Sequence, residues 1–367
     1  MQKKHECVPI RLLRRVEAHY PQAWAYMDQF HALNGSAPDL TWPDWCWVPM
    51  AAAAAVVSKE TGIPFDNQPI PAGLVPDLQA VFALASWRHS RQIFVMDPTL
   101  EKELISDQDS IRMVPVELLH HLPYPGFYVQ TAHVYDAGNV LDGFFVSLEF
   151  DVNNGEHELR FLAVSKNLKA LHGIALHITN PDESIEDAFR RYREIDGKET
   201  ARFFPGIRNA AHPQALQQIH ETLLKQTEHL CRQLLPLVVY ICSTDNDVAP
   251  GLARTGKERR NASPASGDVA TWNVGFRIGP ALKRYRKNQE NQEKKAVNPT
   301  GAGYHSPKRP HIRRAHYHHF WTGNGGNRHL VVKWIPPIFV NAADGTELPV
   351  VGHRVNTPRS TTRSLND

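Results

Sequence analysis

The sequence predicts an α+β protein: a helical N-terminal segment, an antiparallel sheet with a long packing helix, and a small basic β-rich module at the C-terminus. Three observations predict it. Apolar residues recur at helical spacing as far as Leu33, the pattern changes between Gly126 and Ile178 to short β-branched and aromatic runs, and helical spacing returns from Pro213 to about Ser243. A chain of 367 residues, 42% hydrophobic and 22% charged, has room for two ordinary domains with a buried core.

Leu12, Leu13, Val16, Tyr20, Trp24, Met27 and Phe30 mark one kinked helix or two short ones, broken at Pro21 and stopped by Asn34-Gly35. Trp42, Trp45 and Trp47 stand among prolines and are read as a local staple before a ligand-binding patch. An alanine-rich helix begins near Met50. Proline-rich residues 63–76 are read as a loop, 76–88 as a helix, 92–96 as a strand and 98–105 as a short acidic helix. Residues 126–130, 143–150, 157–164 and 173–178 form the strands of an antiparallel meander, with Asn153-Asn154-Gly155 as one of its turns. Residues 184–195 form a helix. The longest element follows, where Leu216, Ile219, Leu223, Leu230 and Leu234 repeat every few residues and predict a helix packed across the sheet.

Residues 245–268 are polar, with almost no large apolar side chain, and this places a boundary between residues 1–250 and 251–353. Beyond it, residues 272–278 alternate like a strand, 280–286 allow a turn or two of helix, and 288–303 read as a charged linker. Two aromatic strands, 310–321 and 329–340, flank a glycine-rich turn, and 354–367 is expected to be a frayed tail.

No run approaches the roughly 18 to 20 apolar residues of a membrane span, no leader pattern follows Met1, and Cys7, Cys46, Cys231 and Cys242 form no C-x-x-C pair. A cytoplasmic protein without a membrane partner, structural disulfides or a cofactor is the expectation. Net charge is only +3, yet thirteen Lys or Arg oppose Glu290 and Glu293 between Arg277 and Lys333, and the rest of the chain is net acidic. Any RNA affinity is therefore expected from about Trp272 onward, and to weaken steeply with salt.

The most informative stretch runs from Lys308 to Trp321, where imidazoles, guanidinium groups and aromatic rings are concentrated; six histidines lie between His305 and His329. As a strand, it sets Ile312, Arg314, His316, His318 and Phe320 on one face and His311, Arg313, Tyr317, His319 and Trp321 on the other. Four readings stay open. Arg309, Arg313, Arg314 and Lys333 grip phosphates while Tyr317, Trp321 and Trp334 stack bases, as single-stranded RNA requires. Two of His311, His316 and His318 act as acid and base beside a phosphate-stabilising cation, the apparatus of a metal-independent ribonuclease. His316-x-His318 holds a metal with a third histidine, though no Asp, Glu or Cys nearby completes a familiar ligand set, and no metal is expected. Or the arginines pair with carboxylates of the first domain and the rings fill a small core.

At Arg309-Pro310-His311-Ile312-Arg313-Arg314, then His316, His318, Trp321, Gly323, Trp334, Pro336 and Phe339-Val340-Asn341, the chain resembles the anti-CRISPR family that acts against the type V-A effector nuclease, with its wide set of plasmid and phage relatives. Tyr317 stands where that family more usually has Trp. The resemblance implies a regulator from a mobile genetic element that binds a peptide of the effector, or another nascent chain, including during translation, and causes loss of the effector's transcript. It makes residues 1–250 the candidate polypeptide-recognition body and the basic module the candidate face for RNA or the ribosome. The rivals are a ribonuclease or toxin-like enzyme and a non-catalytic RNA- or ribosome-binding protein.

Overall fold

The computed structural model describes residues 6–65, 70–152, 154–203, 213–251, 269–296, 311–313, 315–324 and 328–340. At the N-terminus the kinked stretch resolves into two helices, α1 (Val8–His19) and α2 (Ala23–Ala32), with Pro21 in the turn between them. α3 (Met50–Thr61) ends at Gly62, whose φ of 69° places it in the left-handed region that closes helices. α4 (Val75–Ser90) is buried almost all round because it lies between these helices and the sheet.

The remaining elements, in chain order, are β1 (Gln92–Met96), α5 (Pro98–Ser106), β2 (Gly126–Gln130), β3 (Tyr135–Asp136), β4 (Asn139–Phe150), β5 (His157–Ser165), β6 (Leu171–His177), α6 (Ile185–Phe203), α7 (Pro213–Cys242), β7 (Val248–Pro250), β8 (Ala270–Val274), α8 (Ile278–Ala296), β9 (His311–Arg313), β10 (His316–Thr322), β11 (His329–Ile335) and β12 (Ile338–Val340). The central sheet has the order β6-β5-β4-β2-β1-β8-β7, with β3 paired to β4. From β6 to β2 it is the predicted antiparallel meander. β1 then runs parallel to both β2 and β8, so the whole sheet is mixed.

Helices cover both faces of the sheet. Ile93, Tyr128, Phe145, Leu162 and Val164 point toward α1 to α4, whereas Phe94, Phe127, Phe144, Phe161 and Ile174 point toward α7 and the segment following β1. This two-sided burial explains why β4 is buried without interruption from Leu141 to Glu149. Each of these large side chains contributes about 1.5–3 kcal/mol when fully buried.

The expected boundary at 250/251 falls between β7 and β8, which are antiparallel neighbours in this one sheet. α8 also continues to Ala296, through residues read as a charged linker. Its start is fixed from outside: the fully buried Asp247 accepts the backbone N–H groups of Arg277 and Ile278 at 2.7 and 2.8 Å. A capped first turn allows the Lys, Gln and Glu residues that follow to extend the helix. Residues 354–367 lie outside the described residues. All four cysteines are free, and among the described residues no helix is long and apolar enough to cross a membrane.

Candidate functional site

The basic C-terminal strands fold as a hairpin in two parts. β10 pairs antiparallel with β11, and β9 pairs with β12. The interruption coincides with Pro336-Pro337, which have no N–H groups to donate to a ladder.

The inner part docks on the C-terminal end of α7. Thr244 donates its N–H to the Val332 carbonyl at 2.7 Å, and the Tyr317 hydroxyl donates to the Pro236 carbonyl at 3.2 Å. Trp334 meets Tyr240 edge to face, with 5.4 Å between ring centroids. Ala315, Tyr317, Val332 and Trp334 are buried and belong to the core cluster that includes Phe144 and Leu234. Burial pushes the Tyr317 phenol well above its ordinary range. Tyr317 and Trp334 were expected to be stacking platforms, and their burial corrects that expectation. The alternation placed Tyr317 opposite His316 correctly, but which face turns inward is decided by α7.

The outer face carries His316, His318 and Phe320, all exposed, and Trp321, on the face of Tyr317 but one cross-strand pair from the end of the ladder, is exposed as well. His318 and Phe320 hold their rings 5.4 Å apart, and the Arg328 guanidinium lies 5.5 Å from the Trp321 ring. Alternate residues of a strand are about 6.6 Å apart, so His316 and His318 are spaced to flank one phosphate-sized group. Lys333 Nζ is 2.8 Å from Asp245 Oδ2, which neutralises part of its charge. His311 and Arg313 lie on β9, opposite Val340 and Ile338, and Arg309 and Arg314 fall outside the described residues.

Several bases of this segment are paired with carboxylates that precede β8. Arg277 binds Asp247, Arg286 binds Glu103, and Lys333 binds Asp245. The Asp247 N–H in turn donates to the Tyr240 hydroxyl at 3.0 Å, which ties the end of α7 to the start of α8. Sequence reading missed Asp247 because it stands in the polar stretch taken as a boundary, and nothing in that stretch marks one carboxylate as buried.

Metal-ligating side chains meet elsewhere. Among the described residues, Glu156, Glu158 and His177 bring one ligand atom each within 4.8 Å of one another, at the far end of β5 and β6. They are engaged already: His177 Nδ1 lies 2.7 Å from Glu156 and 3.3 Å from Glu158, and Arg160 bridges Glu158 to Glu149. Burial pushes the Glu149 carboxyl up to about 7, against the lowering effect of Arg160.

A family model described as AcrVA2-like, the anti-CRISPR type V subtype A2 family, matches residues 94–342. Protein FinQ of Escherichia coli is 24% identical over 294 residues, an alignment spanning 74% of this chain and 79% of that protein. The crystal structure of AcrVA2 superposes with a TM-score of 0.56 at 16% identity, covering 90% of this chain and 98% of that one. That likeness is one of fold.

Proposed function

Because the chain belongs to the AcrVA2-like family of type V subtype A2 anti-CRISPR proteins, we propose that it recognises a polypeptide segment of a type V-A effector nuclease, including during translation, and lowers effector production through loss of the transcript. The family match carries the reading: it runs from within β1 to just beyond β12 and so includes the sheet with α5 to α8 and the hairpin, while α1 to α4 precede it. In this account the body that precedes β8 holds the polypeptide, and the outer face of β10 with His316 and His318, together with the exposed Trp321 near the turn end of the strand, is turned toward RNA. An exposed ring with a guanidinium beside it is the kind of surface on which an unpaired base stacks.

The test is made in bacteria that express the effector, with the parent chain, with a His316→Ala, His318→Ala double variant, or with neither. Effector protein, effector transcript and co-precipitated effector are measured together. The parent lowers both protein and transcript, and the double variant stays bound to effector polypeptide while the transcript recovers. Unchanged effector levels with the parent would contradict the proposed role.

One observation favours a second reading, that of a metal-independent ribonuclease: His316 and His318 share an exposed face at the spacing given above. Pure protein mixed with RNA in the presence of chelator separates the two. Cleavage lost in the double variant supports the enzyme, because removal of a general acid or base costs roughly 100-fold to 10,000-fold in rate. Intact RNA supports a non-enzymatic role.

A further inference from the structure

Basic charge also collects away from the hairpin, where α5 and α8 cross. The two helices touch at their first turns because of glycine: a Cβ on Gly279 would lie 2.1 Å from the Asp97 carboxyl group, and one on Gly275 would lie 2.5 Å from Leu100. Asp97 caps α5 by accepting the N–H groups of Thr99 and Leu100. Beneath α5, the fully buried Glu101 accepts the N–H groups of Ala132 and His133 at 2.8 and 2.6 Å and pins that loop against the helix.

Between these anchored pieces is a cleft of about 350 Å³, lined by Pro98, Thr99, Lys102, His133, Lys283, Arg286 and Lys287. Its volume is within the roughly 300–1,000 Å³ of small-ligand sites. No carboxylate of the described residues lines it. Arg286 is paired with Glu103, but Lys102, Lys283 and Lys287 have no carboxylate partner among the described residues. Lys102 and the burial of the ring together lower the His133 pKa, burial being the larger cause. Like charges held in a concavity repel one another, and an anion that enters relieves the repulsion.

We propose that the cleft between α5 and α8 is a phosphate-binding site, in which Lys102, Lys283 and Lys287 contact phosphate oxygens and Thr99 and His133 supply hydrogen bonds. The chemistry favours phosphate over an acidic peptide. Lysines suit phosphate as point charges, and among the described residues that line the cleft Pro98 alone is of an apolar type, the rest of the apolar surface coming from the stems of polar side chains. The source is either a nucleic-acid backbone or a free phosphate compound. The assignment rests on the cleft alone and stands whether or not the chain lowers effector production.

The experiment uses the full chain, a Lys283→Gln, Lys287→Gln variant, and a Lys166→Gln, Lys169→Gln control at the exposed β5–β6 turn. The probes are a labelled twelve-nucleotide oligouridylate, inorganic pyrophosphate and oligoglutamate, and melting curves confirm that each protein is folded. Oligouridylate affinity should fall at least tenfold in the cleft variant and less than twofold in the control. The slope of log affinity against log salt should decrease by about 0.7 for each lost contact. If only pyrophosphate binds, with the same sensitivity to the variant, the site stands and its ligand is a free phosphate. The proposal is overturned if neither phosphate probe binds, if both bind parent and cleft variant alike, or if oligoglutamate binds as tightly as they do. Effector co-precipitation by the same variant, measured in parallel, reports on the proposed anti-CRISPR role separately.

Discussion

Trp321 and Trp334 belong to one hairpin but have opposite surroundings, and this separates packing from function. Trp334 is 8% exposed and packs on Tyr240, so Trp334→Ala should cost about 3–5 kcal/mol in urea denaturation. Trp321 is 38% exposed, and Trp321→Ala should change stability by about 0.5 kcal/mol or less. If both cost the same, the hairpin does not dock as described. At the other end of the sheet, Glu149 carries a pKa raised by burial to about 7, and this gives a pH signature. A carboxyl whose folded pKa exceeds its unfolded value of about 4.3 binds its proton more tightly when folded. Its stabilising effect is complete below that unfolded value and is lost as the pH rises through about 7, at roughly 1.4 kcal/mol per unit of displacement. Stability of the parent relative to Glu149→Gln, which leaves Glu158 to hold Arg160, should therefore decline between pH 4.5 and 7. A difference that stays constant across that window would refute the assignment.

Among the elements, α8 depends most visibly on a single residue. Asp247→Ala would leave the N–H groups of Arg277 and Ile278 without their buried acceptor and remove the partner of the Arg277 guanidinium. We expect a loss of about 2 kcal/mol or more, together with reduced helicity by circular dichroism. An unchanged melting curve would mean that α8 is held by packing alone. The meander was legible in the sequence because antiparallel neighbours follow one another along the chain and turn residues such as Gly155 separate them. The β1–β8 pairing was not, because parallel neighbours come from distant segments and no local pattern encodes their adjacency. Helical residues after Lys287 were read as linker because helix propensity without an apolar stripe leaves no periodic signal. At the candidate site the alternation of β10 was legible, whereas the inward turn of Tyr317 required α7. The cleft was half legible: Lys283 stands one helical turn before Arg286 and Lys287 in sequence, but Lys102 and His133 join them only through the fold.

On the scale of the whole molecule, β8 joins the parts on either side of residues 252–268. It lies between β1 and β7, α8 rests on α5, and Trp334 shares a core cluster with Phe144. A chain cut once between Pro250 and Val269 should therefore elute as one particle in size-exclusion chromatography and separate only in denaturant. Two particles eluting independently in native buffer would favour two self-sufficient domains. The central claim is that an effector polypeptide, and not the effector's RNA sequence, directs transcript loss. The most direct measurement compares transcript levels, with and without this protein, for two altered effector genes: one recoded throughout with synonymous codons, the other frameshifted and restored so that the RNA is nearly unchanged but the polypeptide differs. The account predicts that the recoded transcript is still lost and the frameshifted transcript is spared. Loss of the frameshifted transcript with sparing of the recoded one would contradict it.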